Sequence, residues 1–226
     1  MNLKICVIGL GYVGLPIFLK LSKFYETIGF DKDKKRINEL KKGNDYNLEY
    51  SKADLLNNEN YLKLTSNPEN IKKYNFFIVA VPTPIFKNKN PDLRILSKSC
   101  KLIGKVLKKD DIVFFESTVY PGVTNNLCRK ILENTSKLKS SKDFFLGYSP
   151  ERINPGDKTK KLNGINKIVA FNNKDPKRVK LVKNIFKKVS KRIAFTNNLE
   201  SAETAKVIEN IQRDLNIGLM KIKLLS

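Results

Sequence analysis

The sequence of 226 residues contains no histidine. This absence excludes catalytic triads and general bases that rely on imidazole, together with every zinc site that needs a histidine ligand. Cysteine is scarce too, because only Cys6, Cys100 and Cys128 are present, and no two of them have the spacing of a metal-binding or redox motif. We therefore predict no metal and no disulfide scaffold, and we expect the three cysteines to be structural.

Long apolar runs are also missing. No uncharged apolar stretch reaches the roughly 18 residues that a membrane-spanning helix needs, so we predict no membrane span. The apolar beginning of the chain contains three glycines and continues into a patterned segment, which is unlike a signal peptide. Together these features predict a soluble cytoplasmic protein.

Acidic residues are few compared with basic ones. The chain has 44 Lys and Arg against 22 Asp and Glu, which gives a formal net charge of +22. Only seven of the basic residues are Arg, and the lysines are scattered among many asparagines rather than clustered. Nucleic-acid sites are typically rich in Arg and interleaved with aromatic residues, so a solvated basic surface is favoured and a nucleic-acid partner is the weaker alternative. In either case the surface should attract polyanions, including phosphorylated substrates.

Short apolar runs alternate with amphipathic stretches along most of the chain. The runs predict strands and the stretches predict helices. The predicted strands are residues 3–8, 26–30, 76–81, 112–115, 144–148, 167–171 and 192–195. The predicted helices between them are residues 12–24, 33–42, 93–107, 124–138 and 176–189. This alternation predicts an α/β fold with a doubly wound, mostly parallel Rossmann sheet, from which the polar residues 44–60 are an excursion.

The pattern changes after Asn198. Residues 200–225 contain no proline and one glycine, and their apolar residues recur at three- and four-residue steps, which predicts one long helix. A separate polar stripe on this helix comprises Glu203, Lys206, Asn210 and Arg213. We therefore divide the chain into a Rossmann domain, residues 1–197, and the beginning of a second unit, residues 198–226.

The motif GLGYVG, residues 9–14, lies between the first predicted strand and the first predicted helix. In a nucleotide-binding turn the first glycine permits the tight bend, the second lets backbone N–H groups approach a pyrophosphate, and the third allows close helix–strand packing. The N-terminus of the following helix adds partial positive charge. Asp31 ends the second predicted strand 20 residues after Gly11, where its carboxylate can bind both ribose hydroxyls and repel a 2′-phosphate. The pattern predicts a dinucleotide site that prefers NAD to NADP.

The basic residues that follow Asp31 leave two interpretations open. Lys32, Lys34, Lys35 and Arg36 could contact the 2′-phosphate of NADP. Alternatively, they are the exposed beginning of a charged helix.

Three further loops follow predicted strands, at the edge where ligands of open α/β sheets bind. They are VPTP (residues 81–84), ESTVYPGVT (116–124) and YSPERINPGDK (148–158). The second loop offers hydroxyls and a carboxylate near the reacting end of a dinucleotide, although Thr124 is also suited to cap the next helix. Prolines make these loops rigid, which is also their simplest structural explanation.

The chain resembles the N-terminal part of the nucleotide-sugar 6-dehydrogenases, the UDP-glucose/GDP-mannose dehydrogenase family. The resemblance rests on VIGLGYVGLP, FDKDKKRI, VPTP, ESTVYPGVT, YSPERINPGDK and AKVIENIQRDLNI, which occur in this order and cover essentially the whole chain. The forms ESTVYPG and SPERINPGDK are further similar to the branch that oxidises UDP-N-acetylhexosamines, with a UDP-glucose dehydrogenase as the alternative.

The resemblance implies an enzyme that oxidises the 6-hydroxymethyl group of a UDP-sugar to a carboxylate, with two NAD, in the synthesis of polysaccharide precursors. Two hydride transfers would flank a cysteine thiohemiacetal, and the resulting thioester would be hydrolysed. Thr118 and Glu151 would then place water and assist proton transfer, whereas Lys206 and Asn210 would stabilise the oxyanion and the alkoxide. Lys206 and Asn210 are four residues apart and so share one helix face. The alternative is an exposed lysine and an asparagine bonded between domains.

The same resemblance implies a set of cofactor-binding residues. They are Gly9, Gly11, Tyr12, Val13, Gly14, Asp31, Arg36, Val81, Pro82, Thr83, Ser117 and Thr118. The UDP-glucose branch carries a second acid four residues after the position of Glu151, where this sequence has Pro155. Water activation would therefore fall on Glu151 alone.

Family members continue beyond the long helix into a dimerising domain, a cysteine motif and a domain that binds UDP. This sequence departs from the family pattern near Lys221, and none of its cysteines has the context of a nucleophile. We therefore expect a truncated or interrupted dehydrogenase that binds NAD but is inactive alone, and a homodimer for the full-length family. A non-catalytic NAD-binding or interaction module is the alternative from another class.

Overall fold

A computed structural model describes residues 2–56, 63–151 and 166–225, with side chains as far as Lys221. In the described part of the chain one sheet contains eight strands in the order β3-β2-β1-β4-β5-β6-β7-β8. The strands are β1 (Lys4–Ile8), β2 (Glu26–Phe30), β3 (Leu64–Thr65), β4 (Phe76–Val79), β5 (Ile112–Phe115), β6 (Phe145–Tyr148), β7 (Asn166–Phe171) and β8 (Arg192–Thr196). Neighbouring strands are parallel except for β6 and β7, which pair antiparallel.

Helices connect most of these strands. They are α1 (Gly14–Leu21), α2 (Lys34–Lys41), α3 (Lys52–Leu56), α4 (Arg94–Gly104), α5 (Arg129–Ser136), α6 (Pro176–Val189) and α7 (Leu199–Leu225). A 3₁₀ turn occupies Pro68–Ile71, and a π-helical segment, Thr124–Cys128, leads directly into α5. Asp33 and Asp175 begin α2 and α6 as N-caps, because each side chain accepts a hydrogen bond from the backbone N–H two residues later.

The sheet has an apolar layer on each face, because successive side chains of a strand point to opposite sides. On β1, Cys6 and Ile8 pack with residues of α4, α5 and α7. Ile5 and Val7 pack on the other face with residues of α1, α2 and α6. Strands covered on both faces in this way are almost continuously apolar, which explains runs such as FFIV in β4.

The chain reverses its direction of travel across the sheet between β1 and β4. From β1 the chain proceeds through β2 to β3 at one edge, and from β4 it proceeds through β5 towards the other. In open α/β sheets, ligands bind in the crevice outside the carboxyl ends of the strands at this switch point. The predicted fold class, a doubly wound and mostly parallel Rossmann sheet followed by one long helix, is confirmed.

Some elements differ from the sequence-based prediction. The short strand Leu64–Thr65 and the 3₁₀ turn were not predicted, since two paired residues leave no detectable pattern. The predicted helix 124–138 begins as a π-helical segment, in which the N–H of Arg129 donates to the carbonyl of Thr124 five residues earlier. The polar segment 44–60 contains the short helix Lys52–Leu56 in its described part.

The last helix, α7, has two different environments. Its first turns are packed, with Leu199 and Ala202 buried in the core. Further along, large apolar side chains are exposed: Ile208, Ile211, Leu215, Leu219 and Met220. No helix in the described ranges combines the length and the apolar character needed to cross a membrane.

Candidate functional site

A cavity of about 910 Å³ lies at the switch point of the sheet. Its wall is formed by loops that follow β1, β2, β4, β5 and β6, and by side chains of α4 and α7. The carboxyl ends of parallel strands meet at this edge, which brings together segments that are far apart in the sequence.

The glycine turn after β1 forms one wall. Gly9 has φ +89°, and a Cβ there would lie 2.6 Å from the carbonyl oxygen of Ala80. A Cβ at Gly14 would lie 1.7 Å from the carbonyl oxygen of Gly9, so this glycine allows α1 to approach the strand. At Gly11, by contrast, a Cβ would meet nothing within 4 Å. The protein's own packing does not require glycine at this position, and the open space lies in the cavity wall.

This turn suits a diphosphate. No side chain caps the N-terminus of α1 at Val13, so the first backbone N–H groups of the helix are not used by a capping residue. Gly9, Gly11, Tyr12 and Val13 line the cavity beside them. A diphosphate can therefore approach the bare backbone at Gly11 and the positive end of the α1 dipole.

Asp31 occupies the end of β2 and is held in a fixed orientation. Its Oδ2 accepts a hydrogen bond from the N–H of Leu10 (2.9 Å), and its Oδ1 accepts one from the N–H of Asp33 (3.0 Å). Both oxygens retain further lone pairs, and the residue lines the cavity. The carboxylate is thereby presented as an acceptor for ribose hydroxyls.

Arg36 does not line the cavity. Its guanidinium is buried, donating from Nε to the carbonyl of Leu10 (2.9 Å) and pairing through Nη1 with Oδ1 of Asp45 (2.8 Å). It also lies over the ring of Tyr46, with 4.1 Å between Cζ and the ring centroid. Arg36 thus fixes the segment that carries Tyr46 and Asn47, and these two residues do line the cavity.

The loops after β4 and β5 are joined by side-chain hydrogen bonds. The hydroxyl of Ser117 donates to the carbonyl of Val81 (2.7 Å), and the hydroxyl of Thr83 donates to the carbonyl of Thr118 (2.7 Å). Each loop therefore holds the other, and Val81, Pro82, Thr83, Ser117 and Thr118 form one continuous wall of the cavity.

A buried ionic cluster stands behind this wall. Lys167 of β7 contacts two carboxylates through Nζ, at 2.7 Å from Oε2 of Glu116 and 3.1 Å from Oε2 of Glu151. Burial raises the pKa of Glu116 to about 8, against the opposing effect of Lys167. Burial alone would lower the pKa of Lys167, but the two carboxylates outweigh it and raise that pKa. Glu116 and Glu151 both contribute to the cavity wall.

The long helix α7 is anchored beside the cavity by Glu203. This fully buried carboxylate accepts hydrogen bonds from the N–H groups of Gly122 (2.6 Å) and Thr124 (2.9 Å). Lys206 and Asn210, one and two turns further along the helix, reach the cavity. Burial lowers the pKa of Lys206, which brings the neutral amine closer to physiological pH.

The cavity thus gathers most of the residues predicted from the sequence. Gly14 and Arg36 are outside its lining, and the part of the third loop from Arg152 to Lys158 lies outside the described residues. The sequence-based set lacked several lining residues: Tyr46, Asn47, Ser66, Pro68, Ile95, Lys98, Ser99 and Leu102. It also lacked Lys167, the second residue of β7, which is buried although lysine is rarely buried without a partner.

The cysteines take no part in the cavity lining. All three are buried and free of disulfides. Burial raises the pKa of the Cys6 thiol, and a hydrogen bond with Cys100 together with burial raises that of Cys128, so neither favours a thiolate. Across the described ranges, no three His, Cys, Asp or Glu side chains are grouped as a metal site would require.

Comparison with known proteins identifies the family to which this chain belongs. Residues 3–190 match the model of the UDP-glucose/GDP-mannose dehydrogenase family, NAD binding domain. The chain is 47% identical over 220 residues to UDP-N-acetyl-D-glucosamine 6-dehydrogenase of Salmonella typhi, covering 97% of this chain and 51% of that protein. It is 46% identical over 220 residues, with the same coverage, to the Pseudomonas aeruginosa enzyme of that name.

Solved structures agree with this result. The structure of a UDP-D-ManNAc dehydrogenase from Pyrococcus horikoshii superimposes with a TM-score of 0.85 at 31% identity, over 96% of this chain and 52% of that one. A GDP-mannose dehydrogenase from Pseudomonas aeruginosa gives a TM-score of 0.84 at 25% identity, over 95% and 51%. The chain spans about half the length of the curated relatives it matches. It belongs to the UDP-glucose/GDP-mannose dehydrogenase family of NAD-dependent nucleotide-sugar dehydrogenases, and it contains the family's NAD-binding domain.

Proposed function

We propose that this chain is the NAD-binding portion of a UDP-N-acetylhexosamine 6-dehydrogenase. The observation that carries the proposal is the single cavity that combines the open glycine turn and Asp31 with Thr118, Glu151, Lys206 and Asn210. Identity of 46–47% to UDP-N-acetyl-D-glucosamine 6-dehydrogenases supports the substrate class.

The residues of the cavity fit NAD. The open space at Gly11 admits the diphosphate, and the oriented carboxylate of Asp31 suits a ribose without a 2′-phosphate. NAD, when bound, accepts a hydride from C6 of the sugar. Val81, Pro82, Thr83, Ser117 and Thr118 would hold its reacting half, because they lie across the switch point from Asp31.

Four side chains would handle the protons and charge that accompany the hydride. The ammonium of Lys206 and the amide of Asn210 stabilise negative charge on the sugar oxygen, since both side chains line the same cavity and both carry N–H donors. Glu151, which lines the same cavity and interacts electrostatically with Lys206, accepts a proton from water or from the hydroxyl. Thr118 positions that water from the neighbouring loop, which follows β5.

Several finer features belong to the same proposal. Residues 1–197 form the NAD-binding domain, and residues 198–226 begin a central unit that forms a homodimer in the full-length protein. Exposed apolar residues along α7 support this division, since such a stripe is normally covered. A cytoplasmic role in making polysaccharide precursors fits three buried cysteines without disulfides.

The experiment that tests the proposal compares two glycines. Gly11 and Gly218 each have room for a Cβ, but only Gly11 lies in the cavity. We expect Gly11→Val to abolish NAD binding in calorimetry by blocking the diphosphate, while Gly218→Val binds as the unmodified chain does. Circular dichroism should show both variants folded. Undiminished NAD binding by folded Gly11→Val would contradict the proposed site.

A second candidate function, a non-catalytic NAD-binding module, is favoured by the burial of all three cysteines. The two functions differ in one observation. A UDP-sugar that changes NAD affinity supports the dehydrogenase, because Lys206 and Asn210 then contact a second ligand in the same cavity. A chain that binds NAD but is indifferent to every UDP-sugar supports the module.

A further inference from the structure

The buried cluster of Glu116, Lys167 and Glu151 is not explained by the proposed roles of the cavity residues. The side chains of Glu116 and Lys167 are 0% and 3% exposed, and that of Glu151 is 7% exposed. Two carboxylates thus share one ammonium group in a setting where an uncompensated charge is costly. If both carboxylates are ionised the cluster carries a net negative charge, and if one holds a proton the cluster is neutral.

Geometry assigns the proton to Glu116. Its Oε2 contacts Lys167, whereas its buried Oε1 accepts no hydrogen bond from the described part of the chain. Ser149 lies beside Glu116, but its hydroxyl donates to the carbonyl of Ile168 (2.9 Å) and has no second proton to offer. An ionised Oε1 would therefore be buried without a hydrogen-bond donor among the described residues. If Oε1 carries a proton, it becomes a donor itself, because the O–H of a carboxylic acid can donate to the oxygen of Ser149.

The charged groups around Glu116 agree with this assignment. Burial has the largest effect on the pKa of Glu116 and raises it, Lys167 opposes the rise, and Glu151 adds to it. Tyr148 adds no charge, since burial raises the pKa of its phenol. Lys206 on α7 pairs with Glu209 (3.6 Å) and interacts more weakly with Glu151, and burial lowers the pKa of Lys206. Lys206 is therefore a second charged group of the cavity with a shifted pKa, and any test must separate its effect from that of Glu116.

The cluster lies at the end of the cavity where a dinucleotide reacts. Asp31 at β2 marks the ribose of the adenosine half, and Glu116 and Glu151 follow β5 and β6 on the other side of the switch point. A dinucleotide bound across the crevice presents its nicotinamide half there. The oxidised nicotinamide ring carries a positive charge, which the reduced ring lacks.

We propose that Glu116, held by Lys167, stores a proton in the cavity wall and that its ionisation makes the cavity favour the oxidised over the reduced cofactor. This inference rests on the proposed placement of NAD and deepens it, because it names a residue that adjusts the binding preference for the two forms. Loss of the proton leaves the cluster negative, and a negative cluster attracts the cationic ring. No covalent step is involved, and the proton exchanges with solvent.

The experiment measures the dissociation constants of NAD⁺ and NADH by calorimetry from about pH 6.5 to 9, spanning the ionisation of a buried carboxyl. We expect the ratio of the NADH constant to the NAD⁺ constant to rise about threefold or more across this range. Glu116→Gln should hold the ratio near its low-pH value. Glu200→Gln, which removes an exposed carboxylate from α7, and Lys206→Met should both retain the rise.

The outcomes separate this inference from the proposed function. A rise that persists in Glu116→Gln, or that disappears only in Lys206→Met, overturns the role of Glu116 but leaves NAD binding intact. A ratio independent of pH has the same consequence. Failure of both forms to bind overturns the proposed function as well. If Glu116→Gln does not fold, ¹³C NMR of the glutamate carboxyls in the unmodified chain provides the test. One glutamate carboxyl should titrate near pH 8, and a spectrum without such a carboxyl would refute the proposal.

Discussion

Glu203 joins the long helix to the rest of the molecule, and its removal should have a large effect. Its carboxylate is fully buried and accepts hydrogen bonds from the N–H groups of Gly122 (2.6 Å) and Thr124 (2.9 Å). Thr124 begins the π-helical segment that leads into α5, and Gly122 lies two residues before it. The Glu203→Ala variant leaves both buried donors without an acceptor and frees the first turns of α7.

The size of the effect follows from the two hydrogen bonds. A hydrogen bond to a charged group contributes about 1.5 to 3 kcal/mol, so two contribute about 3 to 6 kcal/mol if they are independent. Neighbouring bonds are not fully additive, and water entering the vacated site offsets part of the loss. We therefore expect Glu203→Ala to lower the free energy of unfolding by about 3 kcal/mol. Glu203→Gln retains one carbonyl acceptor and should lose about half as much.

Urea unfolding followed by circular dichroism provides the measurement. Glu200→Ala is the matched control, because Glu200 is on the same helix one turn earlier and is exposed. We expect this control to lie within about 1 kcal/mol of the unmodified chain. A Glu203→Ala variant as stable as Glu200→Ala would refute the view that Glu203 anchors α7 and thereby places Lys206 and Asn210.

Three other results are expected. Asp31→Ala should weaken NAD binding by about 1 to 3 kcal/mol in calorimetry, because charge-assisted hydrogen bonds to the ribose are lost; an unchanged affinity would contradict that role. Burial raises the pKa of Asp111 to about 7, so this group binds more protons in the folded chain and the free energy of unfolding should fall from about pH 4 to 7. Asp111→Asn should reduce this fall in urea titrations without abolishing it, because the raised pKa of Glu116 acts in the same direction. When the 226-residue chain is supplied with NAD and UDP-N-acetylglucosamine, we expect no rise in NADH absorbance, since its cysteines are buried. Steady formation of NADH would show that one of these cysteines reacts.

The glycine turn and Asp31 could be found from the sequence because their signal is local. Three glycines at fixed spacing between a strand and a helix have few uses, and an acid at the end of the next strand completes the pattern. The loops VPTP and ESTVYPGVT could also be placed, because parallel strands end at one edge of the sheet. The structure joins these loops through Ser117 and Thr83, a contact between residues about 35 positions apart that no sequence window contains.

Contacts of this second kind explain what sequence reasoning missed. Lys167 and Glu116 are separated by 51 residues and meet only because β6 and β7 pair antiparallel, a reversal that the repeating pattern does not show. Arg36 belongs to a basic run that suggests an exposed surface, yet it is buried against Asp45 and Tyr46. Its position depends on how the segment after α2 folds back, and the polar composition of that segment gave no indication of it.

We propose that this chain holds NAD in the cavity at the switch point of its sheet. Calorimetric titration of the unmodified chain with NAD and with NADP tests it most directly. We predict saturable binding of one NAD per chain and weaker binding of NADP, because the oriented carboxylate of Asp31 repels a 2′-phosphate. No binding of NAD, or tighter binding of NADP than of NAD, would contradict the account.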